Sequence, residues 1–262
     1  MHKKNLSVIG KPLRKIDAMA KCVGETVYAD DLNLPRMIYA KLLRSPYPHA
    51  RILGINAARA LKLDGVFAVI TGDEMPEKFG IMPSTQDEEA LVIEKARYAG
   101  DPVAAVAAAS ESLAEQALGY IDVEYEVLKP ILTIEDALTS TNESERIHTW
   151  NRQANIQKAV SFEFGDVEAA FAQADHIFED TYFYQGNTHL PMEQYCAVGF
   201  YGPDNKLTVW SSTQTPHYLH RALAKVLKYP RAGSASLPRP SAAGSAARAI
   251  RSRTRSAPQN YR

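Results

Sequence analysis

Short apolar runs separated by Pro and Gly dominate the first part of the chain. Residues 37–44 and 66–71 are two such runs, each bounded by Pro or Gly on both sides. Runs of this length with such boundaries are typical of β-strands, because Pro and Gly interrupt regular structure and favour turns. We therefore predict a strand at each position.

A longer pattern of three elements follows. Residues 103–109 are apolar throughout, residues 111–120 repeat apolar positions at helical spacing after Ser110, and residues 121–127 alternate apolar with polar side chains. Ser is a favoured residue immediately before a helix, and alternation is typical of a strand with one solvent-facing side. The pattern predicts a strand, a helix and a second strand as one β-α-β unit.

The second half of the chain mixes the two element types in an irregular order. Its pattern predicts a strand at 159–164 and a helix capped by Asp166. It further predicts strands at 196–201 and 206–212, joined by a Gly-Pro-Asp-Asn turn, and a helix at 215–229. Strands and helices in irregular order favour the α+β fold class.

A polar stretch from Thr139 to Arg152 separates these halves and is the predicted linker. The composition, 45% hydrophobic and 23% charged, is that of a globular protein. No run is long and apolar enough for a membrane span or a secretory signal, so we expect a cytoplasmic protein. Cys22 and Cys196 are too far apart to form a CxxC pair, which argues against an iron–sulfur or zinc cluster in this chain.

Charge divides the chain differently. Residues 231–262 contain seven arginines and no Asp, Glu or Lys, and they have no periodic apolar face. The preceding residues hold the other 23 of the 30 basic residues against all 30 acidic ones, so they are acidic. We predict that residues 231–262 are disordered and that their sequence is foreign to the rest of the chain.

Several runs of sequence point to a family when they are taken together and in order. They are IGKPLRKIDAMAKCVGETVYADD, LLRSPYPHARI, DGVFAVITGDE and ARYAGDPVAAV, followed by FGDVEAAFAQADHIFEDTY, THLPMEQYCAVGFY and LTVWSSTQTPHYLHRAL. Over about residues 8–230 the chain resembles the molybdopterin-binding large subunits of xanthine dehydrogenase, aldehyde oxidase and their relatives. The second group of runs is most similar to the 4-hydroxybenzoyl-CoA reductase branch of that family.

The resemblance implies a domain organisation. It places a lead-in segment at 1–19, an α/β hammerhead domain at 20–138, the linker at 139–152 and the first part of a molybdopterin-binding domain at 153–230. The foreign segment then occupies residues 231–262.

The resemblance also implies a function. The chain would be part of an oxidoreductase subunit that holds molybdenum in a molybdopterin cofactor, in its cytosine dinucleotide form, and the reaction would be the reductive removal of an aromatic para-hydroxyl group from a thioester. Partner subunits would carry iron–sulfur clusters and FAD. The family's catalytic glutamate has no counterpart here, so we expect the 262-residue chain alone to be inactive.

Gln214, in SSTQTP, matches the family glutamine that donates a hydrogen bond to an oxo ligand of the molybdenum. A neutral amide can donate to a metal-bound oxygen without adding charge beside a highly charged centre. From its position alone, without the resemblance, Gln214 is more simply a polar residue at a strand-to-helix turn.

His189 and Glu193, in THLPMEQY, match a family segment that approaches the substrate channel. Both side chains titrate in ranges useful for acid–base chemistry or metal binding. Pro191 lies between them and disfavours one continuous helix, so a structural hydrogen bond is the simpler interpretation. The family usually has proline where Gln194 stands.

Two further groups are assigned no chemistry. His217 and His220 are three residues apart on the last predicted helix, but no third metal ligand accompanies them. Arg44, His49 and Arg51 form a basic group beside the first predicted strand, which we expect to anchor acidic loops or a neighbouring subunit.

The genetic code offers an explanation for the foreign segment. After the helix at 215–229, the family continues with a strand and a GGGFGGK loop that approaches the cofactor. Codons 241–248 encode SAAGSAAR. If the same bases are read one position out of frame, with the third base of each codon left free, they can encode Gly-Gly-Gly-Phe-Gly-Gly-Lys. We therefore expect a one-base insertion or deletion in the gene, near codon 230.

Two other interpretations remain open. The protein could be another molybdenum hydroxylase, acting on xanthine, an aldehyde or carbon monoxide. It could also be a non-enzymatic binding module whose arginine-rich tail contacts nucleic acid electrostatically. The acidic body and a tail whose only aromatic residue is Tyr261 argue against the second alternative, and we expect no nucleic-acid or membrane partner.

Overall fold

The computed structural model describes residues 6–81, 86–140, 142–148, 155–187, 194–230 and 234–238. Its helices are α1 (Ala18–Cys22), α2 (Glu111–Leu118), α3 (Ile134–Thr139), α4 (Val167–Ala172) and α5 (Pro216–Val226). Its strands are β1 (Tyr39–Arg44), β2 (Ala50–Asn56), β3 (Val66–Thr71), β4 (Lys95–Ala96), β5 (Pro102–Ala108), β6 (Asp122–Val127), β7 (Ala197–Tyr201), β8 (Leu207–Ser211) and β9 (Ser234–Pro238).

Strand β5 is the centre of the first sheet, whose order is β1-β5-β3 with antiparallel neighbours. All seven of its residues are buried, as expected for a continuous apolar run with a partner on each edge. Helix α2 follows directly, and the Ser110 hydroxyl accepts a hydrogen bond from the Leu113 amide at 3.2 Å. The predicted cap of this helix is confirmed.

The second sheet, of order β4-β2-β6, shows that the predicted β-α-β unit was wrong as a single-sheet motif. Strands β5 and β6 flank α2 in sequence but belong to different sheets. β6 pairs antiparallel with β2, and its outward Asp122, Glu124 and Glu126 are exposed. The physical reason is burial: β5 is apolar on both faces and needs a central position, whereas β6 has a polar face that suits a sheet edge.

A third sheet, of order β7-β8-β9, lies in the second half of the chain. β7 and β8 form the predicted antiparallel hairpin, in which Asn205 takes the left-handed conformation that the turn requires (φ 57°). β9 runs parallel to β8 in the register Ser211 to Pro238, so β8, α5 and β9 form a β-α-β crossover. The carboxyl ends of β8 and β9 therefore lie at the same edge of the sheet.

Two predictions about this half of the chain need correction. Residues 159–164 form no strand; their side chains are exposed, and none of the described strands lies beside them. Conversely, Ser234–Pro238 forms a strand within the segment predicted to be disordered. A parallel ladder is made by main-chain groups, so the free edge of β8 can pair with an extended segment that lacks an apolar pattern.

Helix α5 joins two hydrophobic cores. Leu219 and Leu223 pack against Leu207 and Val209 of β8. Near the other end of the helix, Val226 packs into a cluster with six buried residues of 20–138, the predicted hammerhead half of the chain: Ile70, Met75, Phe79, Ala90, Leu91 and Ala105. The buried apolar residues of this helix thus have partners on both sides.

Candidate functional site

The candidate site is the loop between β8 and α5, where Gln214 lies. Ser211, Ser212 and Thr213 are 1%, 2% and 3% exposed, whereas Gln214 itself is exposed. In a β-α-β unit the loop after the first strand lies at the carboxyl edge of the sheet, where such folds usually bind ligands. Local geometry therefore places the Gln214 amide at a position suited to ligand contact.

Short polar contacts hold this loop in shape. The Thr213 hydroxyl accepts a hydrogen bond from the Thr215 amide at 3.1 Å, and the Thr213 amide donates to the Ser211 carbonyl at 2.9 Å. Pro216 then begins α5 with its ring in the first turn, where a missing N–H is tolerated. The loop is fixed on both sides of Gln214.

The Ser212 hydroxyl is the polar group that sequence reasoning missed. It is buried and has no hydrogen-bond partner among the residues that the structure describes. The signal in the sequence was a run of three hydroxyl residues, Ser211 to Thr213, at the carboxyl end of β8. A buried hydroxyl without a partner is unusual enough in a native fold to require an explanation.

The donor set of the loop decides which group it could hold. It offers a neutral amide and a hydroxyl, and residues 206–226 contain no Asp or Glu. Within the described ranges, no group of three or more His, Cys, Asp or Glu side chains could bind a metal ion. The loop therefore fits a cofactor that brings its own metal ligands, and it does not fit a metal held directly by side chains.

The other sequence-predicted residues are placed as follows. His189 and Glu193 lie outside the described residues. His217 is exposed on α5 and His220 is half-buried, and neither belongs to a metal-binding group in the described part of the chain. Of the predicted site residues Gln214, His189 and Glu193, the structure describes Gln214.

Two members of the basic group beside β1 contact main-chain carbonyls, and the third pairs with an acidic side chain. Arg44 donates to the Gly100 carbonyl at 2.9 Å, and Arg51 pairs with Glu126 on β6. His49 is fully buried, and its Nδ1 donates to the Lys129 carbonyl at 2.7 Å. Burial lowers the pKa of His49, partly offset by this hydrogen bond and reinforced by nearby Lys95, which favours the neutral ring.

A buried carboxyl group stands at the turn that precedes β5. Asp101 is 9% exposed and accepts a hydrogen bond from the Arg97 amide at 3.0 Å, while Gly100 supplies the left-handed conformation (φ 91°). Burial raises the pKa of Asp101 to about 6, although the Arg97 amide and charge act in the opposite direction. The group lies in the hammerhead half and has a structural role.

Hydrogen bonds fasten the predicted linker to the hammerhead half. Lys95 donates to the Arg146 carbonyl, and Arg97 donates to the Ile147 carbonyl at 3.2 Å. His148 and Asp87 are joined at 2.7 Å.

Among the described residues, no helix has both the length and the apolar character that crossing a bilayer requires.

Two family models match separate parts of the chain. Residues 23–129 match the a/b hammerhead domain of aldehyde oxidase and xanthine dehydrogenase, and residues 147–233 match the molybdopterin cofactor-binding domain. The chain belongs to the aldehyde oxidase and xanthine dehydrogenase family. It carries the hammerhead domain of that family followed by part of the cofactor-binding domain.

Individual relatives place the chain within this family. It is 40% identical to the nicotinate dehydrogenase large molybdopterin subunit of Eubacterium barkeri over 87% of this chain and 52% of that protein. It is 30% identical to aldehyde oxidase 2 of Cavia porcellus, over 85% of this chain and 16% of that protein. The chain thus spans about half, or less, of the length of these curated relatives.

A solved structure confirms the α+β fold that was predicted. The quinoline 2-oxidoreductase of Pseudomonas putida 86 superposes with a TM-score of 0.76 and 28% sequence identity. The match covers 88% of this chain and 30% of that chain. The hammerhead and the start of the cofactor-binding domain therefore have the arrangement found in this relative.

Proposed function

We propose that this chain forms one wall of the molybdenum site in an oxidoreductase subunit of the aldehyde oxidase and xanthine dehydrogenase type. The observation that carries the proposal is the β8–α5 loop, which offers neutral hydrogen-bond donors at the carboxyl edge of a β-α-β unit. When bound, the molybdenum–pterin cofactor supplies two-electron redox chemistry. The chain's own contribution is to bind and orient that cofactor.

Gln214 is the residue to which we assign the direct contact. Its amide N–H can donate to an oxygen on the metal without introducing charge, and its backbone is fixed by the Thr213 and Thr215 contacts. His189 and Glu193 are proposed to approach the substrate channel. We assign no catalytic residue within this chain, and we expect the 262 residues alone to be inactive.

For the substrate we favour an aromatic compound that is hydroxylated. The first relative named above is a nicotinate dehydrogenase subunit, and the structural relative is a quinoline 2-oxidoreductase; both are named for nitrogen-containing aromatic compounds. Hydroxylation takes its oxygen from water and releases two protons and two electrons for each carbon–hydrogen bond converted to a carbon–hydroxyl bond. An electron acceptor is therefore required.

The second candidate is 4-hydroxybenzoyl-CoA reductase. It is favoured by the run from FGDVE to SSTQTPHYLHR, which resembles that branch of the family. This reaction consumes two electrons and two protons and releases the para-hydroxyl group as water. The two candidates thus differ in the direction of electron flow, which an assay can distinguish.

Partners and location complete the proposal. We propose that iron–sulfur and FAD-binding subunits exchange electrons with the molybdenum site, that the pterin carries a cytosine dinucleotide, and that the complex is cytoplasmic. The relative from Eubacterium barkeri is itself named a subunit, which supports assembly with other chains.

The decisive experiment substitutes Gln214 in the complex whose large subunit is expressed with the reading frame restored after codon 230, purified from a host that makes molybdopterin. Gln214→Ala is expected to lower turnover about tenfold or more, the usual effect of removing a group that orients a metal centre. The matched control is Gln173→Ala, which changes an exposed glutamine at the end of α4. The assays use nicotinate, quinoline or xanthine as the substrate, or 4-hydroxybenzoyl-CoA together with a reduced electron donor. Equal turnover of both variants and the wild type in all of them would contradict the proposal.

We also propose that the gene encodes the family's glycine-rich loop in another frame beyond β9. The carboxyl end of β9 lies beside that of β8, so a loop there would approach the same edge as Gln214. Sequencing the gene tests this proposal. A confirmed sequence with no GGGFGGK-like motif in any frame after codon 238 would contradict it.

A further inference from the structure

The buried hydroxyl of Ser212 differs from its neighbour in the same loop. Ser212 is 2% exposed and Thr213 is 3% exposed. The Thr213 hydroxyl accepts a hydrogen bond from the Thr215 amide at 3.1 Å, whereas that of Ser212 has no partner among the described residues. Two adjacent hydroxyl groups of similar burial therefore have opposite hydrogen-bonding states.

An unpartnered buried hydroxyl destabilises the fold, because it has lost its hydrogen bonds to water without replacing them. Alanine at this position would remove that penalty at almost the same volume. The presence of serine therefore indicates a partner that the described residues do not supply.

The charge around the loop indicates what kind of partner this is. Residues 207–226 contain no acidic residue, and Arg221 is the first basic residue after the loop along α5. The Arg221 guanidinium lies 4.5 Å from the ring centre of Tyr218, one turn into α5. In such surroundings a hydroxyl is suited to donate to an oxygen that carries negative charge.

We propose that the Ser212 hydroxyl donates a hydrogen bond to an anionic oxygen of the cofactor bound at the β8–α5 loop. This inference rests on the proposed function, since it takes that loop as the cofactor site. Ser212 and Gln214, two positions apart in the loop, would both contact the cofactor, Ser212 from a buried position and Gln214 from an exposed one.

The first test measures the 262-residue chain without cofactor. Ser212→Ala is expected to raise the midpoint of thermal unfolding by about 2–4 °C, because it removes an unpaired buried hydroxyl. The matched control Thr213→Val removes a satisfied hydroxyl and is expected to lower the midpoint. A Ser212→Ala variant that is less stable than the wild type would show that the hydroxyl already has a partner in the chain, and would overturn the proposal.

The second test measures retained cofactor. The chain is purified, with the polypeptides that accompany it, from a host that makes molybdopterin, and pterin and molybdenum are quantified after extensive dialysis. Ser212→Ala is expected to weaken pterin retention about tenfold, as loss of one charge-assisted hydrogen bond does. Unchanged retention would overturn the inference, because the partner would then be protein and not cofactor.

Gln214→Ala, measured alongside, separates this inference from the proposed function. If Gln214→Ala loses cofactor or turnover and Ser212→Ala does not, only the role of Ser212 is wrong. If neither variant differs from the wild type, or if the wild type holds no pterin, the loop is not the cofactor site and both proposals are wrong.

Discussion

Strand β5 and residues 159–184 are both rich in apolar side chains but have opposite surroundings. Val103 and Val106 of β5 are completely buried, whereas Phe178 and Phe183 are 89% and 88% exposed. We call residues 159–184 the exposed segment; its other large exposed side chains are Val160, Phe162, Phe164, Val167, Phe171, Ile177, Tyr182 and Tyr184. The difference shows that an apolar sequence is buried only where neighbouring elements are present to cover it.

Neighbours account for the contrast. β5 lies between β1 and β3 and beneath α2, while the exposed segment contains α4 and otherwise extended chain without a described strand beside it. An exposed apolar surface of this extent marks an interface. The segment lies within the residues that match the cofactor-binding domain, and we expect a polypeptide surface outside the described residues to cover it.

The largest effect is expected from placing the same charge in both regions. Val106→Asp would bury a carboxylate in the core of the first sheet, and we expect a loss of about 4 kcal/mol or more in the free energy of unfolding. Phe178→Asp, at an exposed position, is expected to change it by about 0.5 kcal/mol or less. Chemical denaturation measures both. Similar losses would show that the exposed segment is packed in solution.

The next effect concerns α5, which packs on the hammerhead half. Val226→Ala removes two buried methyl groups and is expected to lower the free energy of unfolding by about 2 kcal/mol. Limited proteolysis provides a second measurement. Cleavage within the exposed segment is expected to leave two fragments that elute together in the wild type. A smaller share of the fragments is expected to elute together in Val226→Ala. The control is Lys225→Ala on the exposed side of α5. Fragments that separate at once in the wild type would contradict the packing.

A smaller effect depends on pH. The pKa of Asp101 is about 6 in the fold against 3.8 for an exposed carboxyl, so the folded state holds the proton more tightly and stability falls as pH rises from about 4 to 6. Asp101→Asn should remove that slope and be more stable than the wild type above pH 6, by about 1–3 kcal/mol. The lowered pKa of His49 gives the opposite slope below about pH 6.5, so the comparison between variant and wild type isolates Asp101. Parallel pH profiles would contradict this prediction.

The smallest effect is expected at the surface pair of Arg51 and Glu126, whose side chains are 38% and 47% exposed. Glu126→Gln should lower stability by about 0.5 kcal/mol, and the difference should disappear in 1 M salt. Urea denaturation at low and high salt measures it. A loss that persists at high salt would show that the pair contributes more than surface electrostatics.

The fold could be predicted wherever a local pattern and its packing agreed. β3, α2 and the β7–β8 hairpin follow directly from apolar runs, a Ser cap and turn residues. The sheet to which a strand belongs could not be predicted in this way, since β5 and β6 flank one helix but pair in different sheets. β9 was missed because main-chain pairing along β8 leaves no apolar pattern to detect.

For the candidate site, the position of Gln214 came from a family resemblance, and the geometry of its loop came from the structure. The sequence could not indicate that Ser212 and Thr213 differ in hydrogen bonding, because both are hydroxyl residues in one run. The pKa of Asp101 likewise depends on burial that no local pattern records.

The double packing of α5 has a consequence for substitutions far from the cofactor. Val226 is twelve positions after Gln214, and at 1.5 Å per helical residue the two ends of this stretch are roughly 18 Å apart. Since Val226 is held by Met75 and Phe79, the hammerhead core sets the axial position of the helix and so the reach of the glutamine amide. Volume changes at Met75 or Phe79 are therefore expected to tune turnover from a distance, without altering any atom that meets the cofactor.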